Sequence, residues 1–326
     1  MRKKAFSLIE AAIVIIVVGI LIAGITISSA LIKKSRIASA QAFTDKSPVN
    51  NVDDLVFWLE SSYSSNLISN FSSGSGSEYI SGDSLQDGQN LFSWIENRPV
   101  VDKIKVISIG DGPTYSNTIN YIQSVKFDEN SDSNYFRITN ASFLNGGDYT
   151  IFITEKRMGS GENFILGNSA NVASNRSLLI GYDSDSSIIH SQSGSAIDVD
   201  NTYYASVKNY ETSIDETRIM TVVQSSSGGK SIYINGILAA KDESNIAQLS
   251  GVSTLDIGRN YNGEIGEIII YRRALLDMER KAVEDYLGAK WKSRIIRNFD
   301  VDLGADTATD IIDCTGNTVT KNGCEI

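Results

Sequence analysis

The sequence predicts a mainly β protein, in which a long N-terminal α-helix precedes an antiparallel β sandwich that a C-terminal helix closes. Three observations predict this fold class. Residues 11–32 are uncharged and mostly apolar. Many short β-rich runs follow, separated by Gly, Asn, Asp and Ser clusters, as in a sandwich or barrel. The segment LDMERKAVEDYLGAKW at 276–291 then has apolar residues at helical spacing.

The first element is predicted to be a transmembrane helix with one anomalous residue. At about 1.5 Å per residue, the 22 residues of 11–32 would extend about 33 Å, which is enough to cross a bilayer. Glu10 lies at the very start of this apolar run. Because an ionisable group facing lipid costs at least a few kcal/mol, Glu10 is expected to have a functional partner.

The N-terminus resembles that of type IV prepilins and pseudopilins over about residues 1–43. It has a basic leader at 2–4, a small residue, Ala5, and then FSLIE. The resemblance implies that a prepilin peptidase cuts between Ala5 and Phe6 and that the new amino terminus of Phe6 is methylated. Ala replaces the usual Gly before the cut, which can slow processing. In the family, the residue matching Glu10 pairs with the N-terminal amine of a neighbouring subunit in a filament.

The resemblance also implies a location. The chain would pass once through the bacterial inner membrane before assembly, then enter a pilus at the cell surface or a periplasmic pseudopilus. Charge bias does not orient the helix, because three cations flank each end. Two alternatives stay open: a cleavable secretory signal ending at the small-x-small sequence of 38–40, and a plain signal anchor, which leaves Glu10 unexplained.

Composition limits the partners. The chain has 29 basic and 39 acidic residues, a formal net charge of −10. An acidic surface disfavours nucleic acid and anionic lipid as partners of the soluble part. The two cysteines, Cys314 and Cys324, lie close together near the C-terminus. In an exported chain, such a pair is expected to form a disulfide that closes a short loop.

The order of the later runs resembles laminin-G-like, concanavalin-A-type jelly-roll domains. The matching pieces are FWLES, YTIFI, SIYINGIL, LDIGR, and a strand, GEIGEIIIY, that leads into the closing helix. The resemblance covers about 52–294 and implies an antiparallel β jelly-roll sandwich. Such domains typically bind glycans or proteins and only sometimes carry catalysis. Residues 44–51 are expected to be a linker, and 295–326 a tail with the disulfide loop.

The closing helix is expected to begin at Asp277, which can cap it. Its apolar stripe contains six residues: Met278, Ala282, Val283, Tyr286, Leu287 and Trp291. We expect the three tryptophans of the chain, Trp58, Trp94 and Trp291, to lie in the core. The run SSSGGK at 225–230 is expected to be a hairpin loop.

Catalysis is not expected. His190 is the only histidine, which argues against metal sites built on several histidines and against a Ser-His-Asp triad. It is interpreted as a surface strand residue. Glu264 and Glu267, in EIGE, resemble part of the motif of laminarinase-type hydrolases. Since side chains alternate across a strand, two residues three apart should point to opposite faces, which disfavours a shared catalytic cleft.

Two kinds of binding residue are predicted, acidic calcium ligands and aromatic residues that stack on sugars. No cofactor is required, but calcium could bind acidic loops, because carboxylates are ligands that it prefers. The calcium candidates are Asp128, Asp132, Asp183 and Asp185; Glu129 lies in the same loop as Asp128, and Asp198 and Asp200 form a third acidic cluster. Aromatic residues near loops that could stack on sugars are Tyr115, Tyr182, Tyr203, Tyr204, Tyr210 and Tyr261.

These observations together predict a type IV pilin-like filament subunit, at a minor or tip position, that displays a lectin-like domain for adhesion. Its partners would be other pilin subunits, the prepilin peptidase, and glycans or surface proteins. One alternative is a minor pseudopilin of a type II secretion system that contacts cargo. The other is an anchored polysaccharide hydrolase.

Overall fold

The structure, a computed structural model, describes most of the chain. The described residues are 8–73, 76–81, 85–128, 134–160, 163–167, 177–182, 188–191, 204–207, 214–297, 311–312, 318–319 and 324–325.

Two α-helices lie near the ends of the described chain: α1, Leu8–Asp45, and α2, Asp277–Trp291. Short 3-10 turns occur at Val49–Asn51, Ser64–Asn66 and Ser142–Leu144.

The predicted fold class is wrong in one respect, the transmembrane character of its N-terminal helix. A span requires about 20 consecutive, predominantly apolar residues. Among the residues that the structure describes, no helix is both long enough and apolar enough to cross a membrane. The predicted location, a single pass through the inner membrane before assembly, is wrong for the same reason.

The remainder is mainly β, with two large antiparallel sheets. The strands of sheet 1 are β1 Leu55–Glu60, β6 Thr114–Ile119, β7 Ile122–Phe127, β9 Tyr149–Arg157, β14 Thr217–Ser225, β15 Gly229–Ile234, β16 Ile237–Asp242 and β18 Gly263–Tyr271. They are ordered β16-β15-β14-β9-β18-β7-β6, and β1 pairs with β18. The turn between β14 and β15 is the predicted hairpin loop.

The strands of sheet 2 are β2 Leu67–Ser73, β3 Gly76–Ser81, β4 Ser93–Trp94, β5 Val106–Ile109, β8 Tyr135–Ile138, β10 Asn163–Gly167, β11 Leu179–Tyr182, β12 Ile188–Ser191, β13 Tyr204–Val207 and β17 Leu255–Ile257. Their order is β13-β12-β11-β10-β17-β8-β5-β4-β2-β3. Four two-residue strands form two further pairs: β19 Ile296–Arg297 with β22 Cys324–Glu325, and β20 Ile311–Ile312 with β21 Thr318–Val319.

Sheet 1 carries buried apolar residues on both faces because each face is covered. The main core includes Ile151 and Ile153 of β9 and residues from sheet 2. Phe152, between them in sequence, belongs to a second apolar cluster with Val283 and Leu287 of α2. Every residue of β18 is buried. A strand covered on both sides reads as a nearly continuous apolar run, which explains GEIGEIIIY.

The closing helix differs from its prediction at its first turn. Leu276, not Asp277, occupies the N-cap position, and its backbone N–H donates to Glu279 Oε2 at 2.9 Å. Two members of the predicted apolar stripe are exposed rather than packed: Met278, at 81 %, and Ala282. Val283, Leu287 and the other buried stripe residues pack on sheet 1, and the three tryptophans are buried as predicted.

A buried ionic network attaches α2 to sheet 1. Glu60 of β1 lies directly opposite Glu267 of β18, and both side chains are buried. Like charges opposite each other destabilise a sheet, so the pair needs a cation. Lys290 of α2 supplies it, since its ammonium donates to Glu60 Oε1 and, at 2.7 Å, to Glu267 Oε2.

Three further groups complete the shell of Glu267. The indole N–H groups of Trp58 and Trp291 donate to its carboxylate at 2.8 and 2.9 Å. The Tyr286 hydroxyl donates to Oε1 at 2.8 Å, and it also lies 3.3 Å from the Thr44 hydroxyl of α1. The network therefore links sheet 1, α2 and the last turns of α1.

A β-bulge interrupts β18 beside this network. The register between β9 and β18 shifts between Ile265 and Glu267. A Cβ added to Gly266 would lie 2.5 Å from the Trp291 ring, closer than real contacts allow. Only glycine therefore lets the indole lie against the bulge.

We expect Gly266→Ala to destabilise the protein by about 1–3 kcal/mol, because the added methyl overpacks a rigid core. Gly147→Ala is the control, since its nearest neighbour would be the Arg272 side chain at 3.5 Å. Denaturant unfolding of both variants measures the difference. Equal stabilities would contradict the assigned contact with Trp291.

We expect Lys290→Met to cost about 3–5 kcal/mol, because it leaves two buried carboxylates without their cation. Lys281→Met, on the same helix, removes a partly exposed pair with Asp277 and should cost less than about 1 kcal/mol. Urea unfolding with both variants tests this. Similar losses in the two variants would show that the buried network is not important for stability.

The loss of stability in Lys290→Met should depend on pH. Burial raises the pKa of the Glu267 carboxyl, and Lys290 opposes that rise. When the pKa of a carboxyl is higher in the folded than in the unfolded protein, stability falls as pH rises from the unfolded-state pKa to the folded-state pKa. Without Lys290 the folded-state pKa of Glu267 is higher still, so stability keeps falling up to a higher pH. The stability difference between wild type and Lys290→Met should therefore be smaller at about pH 5 than at about pH 8; an equal difference would contradict this assignment.

Candidate functional site

Glu264 and Glu267 lie on the same face of sheet 1, which corrects the sequence-based expectation. Strict alternation would place residues three apart on opposite faces. The bulge at Gly266 inserts one extra residue between them, so the alternation shifts by one position and both carboxylates lie on the side that faces α2. Their partners agree: Glu264 bonds Ser124 of β7, whose neighbour Val125 packs in the main core on the other face.

The shared face does not make the two glutamates a catalytic pair. Glu267 is buried and accepts from Trp58, Tyr286, Lys290 and Trp291, so its carboxylate is committed to holding α2. Glu264 lies near β6 and β7 at the edge of the sheet, where its partners are hydroxyl groups. Of the two glutamates, it is the one that lines a cavity.

Hydroxyl groups surround the Glu264 carboxylate. Ser116 donates to Oε1 at 2.9 Å, Thr118 donates to the same oxygen, and Ser124 donates to Oε2 at 2.6 Å. Glu264 is fully buried. Within the described part of the chain, no lysine, arginine or histidine nitrogen lies within 4 Å of this carboxylate. The hydroxyls thus stabilise the carboxylate without an ion pair.

A cavity of about 290 Å³ opens beside this carboxylate. Its polar lining includes Glu264, Thr118, Lys126 and Asn134, and Asp87 and Asp128 also border it. Asn134 Oδ1 is buried and has no hydrogen-bond partner among the described residues. A buried acceptor without a donor costs free energy, so this atom indicates where a bound group can donate.

The calcium candidates are tested only at Asp128, which is exposed at the rim of this cavity. Asp132, Asp183 and Asp185 lie outside the described residues, as do Glu129, Asp198 and Asp200. In the part of the chain that is described, no group of three Asp, Glu, His or Cys residues could hold a metal ion.

The predicted sugar-stacking tyrosines are not exposed where they are described. Tyr115, Tyr182 and Tyr261 are buried, so they cannot present a ring face to solvent. Tyr203 and Tyr210 lie outside the described residues, and of Tyr204 only the backbone, in β13, is described.

Tyr182 and Tyr261 serve a buried carboxylate that the sequence does not reveal. Their hydroxyls donate to Glu155 at 2.6 and 2.5 Å, and Arg218 lies 3.6 Å from the same group. Burial raises the pKa of Glu155, which Arg218 and the two tyrosines partly offset. The Arg157 guanidinium stacks on the Tyr182 ring at 4.2 Å. This cluster is closed and joins the two sheets.

The processing and disulfide residues remain predictions. Ala5 and Phe6 lie outside the described residues, and so does Cys314. The backbone of Glu10 lies in the first turn of α1, and that of Cys324 lies in β22, but neither side chain is described. The backbone of the sole histidine, His190, lies in β12, as expected of a strand residue.

No family model and no curated protein matches this chain. Solved structures resemble it at the level of the fold. One is domain 4 of AbnA, an extracellular GH43 arabinanase from Geobacillus stearothermophilus, in complex with arabinotriose. Its TM-score is 0.44 at 13 % identity, covering 59 % of this chain and 91 % of that chain.

Two more are a structure of botulinum neurotoxin type C, whose cell entry is dependent upon interaction with two ganglioside molecules, and a Trypanosoma rangeli sialidase in complex with sialic acid. Their TM-scores are 0.48 and 0.43, at 14 % and 13 % identity. They cover 74 % and 73 % of this chain, which spans 53 % of the toxin chain and 33 % of the sialidase. Because these three TM-scores are below 0.5, we infer the function of this chain from its own residues.

Proposed function

We propose that this protein is a pilin-like assembly subunit: copies associate through α1, and each copy displays its sandwich as a binding domain. The observation that carries this proposal is the exposed apolar surface of α1. Ile15 and Ile20 are 71 % and 67 % exposed, and Leu31 and Ile32 are exposed further along the helix.

Such a surface requires a partner. Burying apolar area stabilises by about 25 cal/mol per Å², and a large contiguous apolar patch on a protein marks an interaction site. A second copy of α1 is the occupant that we propose. It offers the same aliphatic side chains, and parallel helices bury such surfaces well when they pack together.

The attachment of α1 supports this arrangement. Its C-terminal turns attach it to the sandwich: Ala40 and Thr44 are buried, and Gln41 donates to the Ser62 carbonyl at 3.0 Å. The Tyr63 hydroxyl donates to Asp45 at the end of the helix. The apolar residues 13–22 precede this attachment by about five turns or more, so helices can bundle without displacing the sandwiches.

The resemblance to prepilins adds a role for Glu10. If Ala5–Phe6 is cleaved, the amine of Phe6 in one subunit can pair with Glu10 of the next. Two opposite charges buried in an apolar bundle stabilise each other, whereas either one alone is costly. Glu10 would then set the axial register between neighbouring subunits.

We expect the double variant Ile15→Asp/Val18→Asp to lose association, because charges buried in a helix bundle are destabilising. The matched control is Val101→Asp, since Val101 is 99 % exposed on the sandwich. Full-length protein would be freed of detergent and examined by negative-stain electron microscopy and sedimentation velocity. Filaments or regular oligomers should form with wild type and the control only.

Glu10→Ala, produced with the processed N-terminus, should assemble more weakly than wild type because the Phe6 amine loses its partner. Assembly by the double variant at the wild-type level would overturn the role of α1. Normal assembly of Glu10→Ala alone would overturn only the charge pairing.

A further inference from the structure

We propose that the cavity beside Glu264 binds a neutral, polyhydroxylated ligand, namely a single sugar residue. The inference rests on the proposed role of the sandwich as a displayed binding domain, and it names the chemistry of the ligand. The site lies at the β6 and β7 edge of sheet 1, and none of its lining residues belongs to α1, so sugar binding can be measured on unassembled protein.

The cavity is rich in unfilled acceptors. A carboxylate has about four lone-pair sites, and Ser116, Thr118 and Ser124 fill three of those on Glu264. The amide oxygen of Asn134 has two lone pairs and no partner among the described residues. A ligand that satisfies both groups must therefore present at least two hydrogen-bond donors.

Hydroxyl groups fit this lining better than a cation does. Lys126 borders the same cavity and would repel a second positive charge, but its ammonium can donate to a hydroxyl oxygen. Three carboxylates border the cavity, those of Glu264, Asp87 and Asp128, but no three Asp, Glu, His or Cys side chains among the described residues are grouped so that they could hold one metal ion. A hydroxyl can donate to Glu264 or Asn134 while it accepts from Lys126, so adjacent hydroxyls on one ring can use both kinds of group.

Part of the lining is apolar, and the cavity is small. Pro113, Tyr115, Phe127 and Met158 contribute to the wall, which suits the C–H face of a sugar ring. A volume of about 290 Å³ lies at the lower end of the range of ligand sites, about 300–1,000 Å³. The cavity therefore suits one ring rather than an extended chain.

The test is saturation-transfer NMR and calorimetry on full-length protein, kept monomeric in mild detergent. The probes are glucose, galactose, mannose and arabinose, with calcium chloride and ethylammonium chloride as cation probes. We expect at least one sugar to bind wild type. Glu264→Gln should weaken binding about tenfold or more, because a hydrogen bond to a charged acceptor is lost.

Asn134→Ala is the second variant, because it removes an acceptor that makes no hydrogen bond in the described protein and should not disturb folding. It should also weaken binding. The control is Glu243→Gln, a carboxylate exposed on the surface and paired with Lys241 at 2.7 Å. Thermal unfolding checks that each variant is folded.

The proposal would be overturned if wild type bound no sugar or bound cations alone. It would also be overturned if both Glu264→Gln and Asn134→Ala bound sugar with unchanged affinity. Because the assay uses monomers, its result is separate from assembly. Sugar binding by a protein that forms no filaments would overturn only the role of α1, and filaments that bind no sugar would overturn only this inference.

Discussion

The contact between Lys290 and the two carboxylates of Glu60 and Glu267 holds the layers of this protein together. It neutralises a like-charged pair at the centre of sheet 1 and fixes α2 above that pair. Through Tyr286 it also reaches Thr44 of α1. Replacing such a network by apolar residues need not destabilise a fold, but removing one member does. Here the network links α2 to sheet 1 through Lys290 and to the end of α1 through Tyr286.

Much of the sandwich could be predicted because it depends on local pattern. Short β-rich runs, the hairpin loop at 225–230 and the stripe containing Val283 and Leu287 follow from periodicity. The faces of Glu264 and Glu267 could not, because one inserted residue reverses the alternation of a strand. Gly266 was the available signal: an isolated glycine within a strand pattern indicates a bulge or a close approach.

Long-range charge pairing was equally invisible in the sequence. Glu155 meets Tyr182 and Tyr261 across 27 and 106 residues of chain. Both tyrosines were interpreted as loop aromatics, whereas burial with a carboxylate is their actual role. The hydroxyls around Glu264 are single serines and threonines with no motif. The transmembrane prediction for α1 rested on an uncharged, mostly apolar run of residues and on the resemblance to prepilins, and the described helix does not support it.

The path of the chain from α1 into the sandwich has a mechanical consequence. After α1, the chain enters β1, which pairs with β18 through five residue pairs. Tension applied along α1 would therefore load β1 against β18, a strand in which every residue is buried. The pairs from Leu55–Tyr271 to Glu60–Glu267 would share that load, and Lys290 bonds both carboxylates at the last pair of the row. A subunit pulled by its helix would thus transmit the force through five backbone pairs and a buried cation.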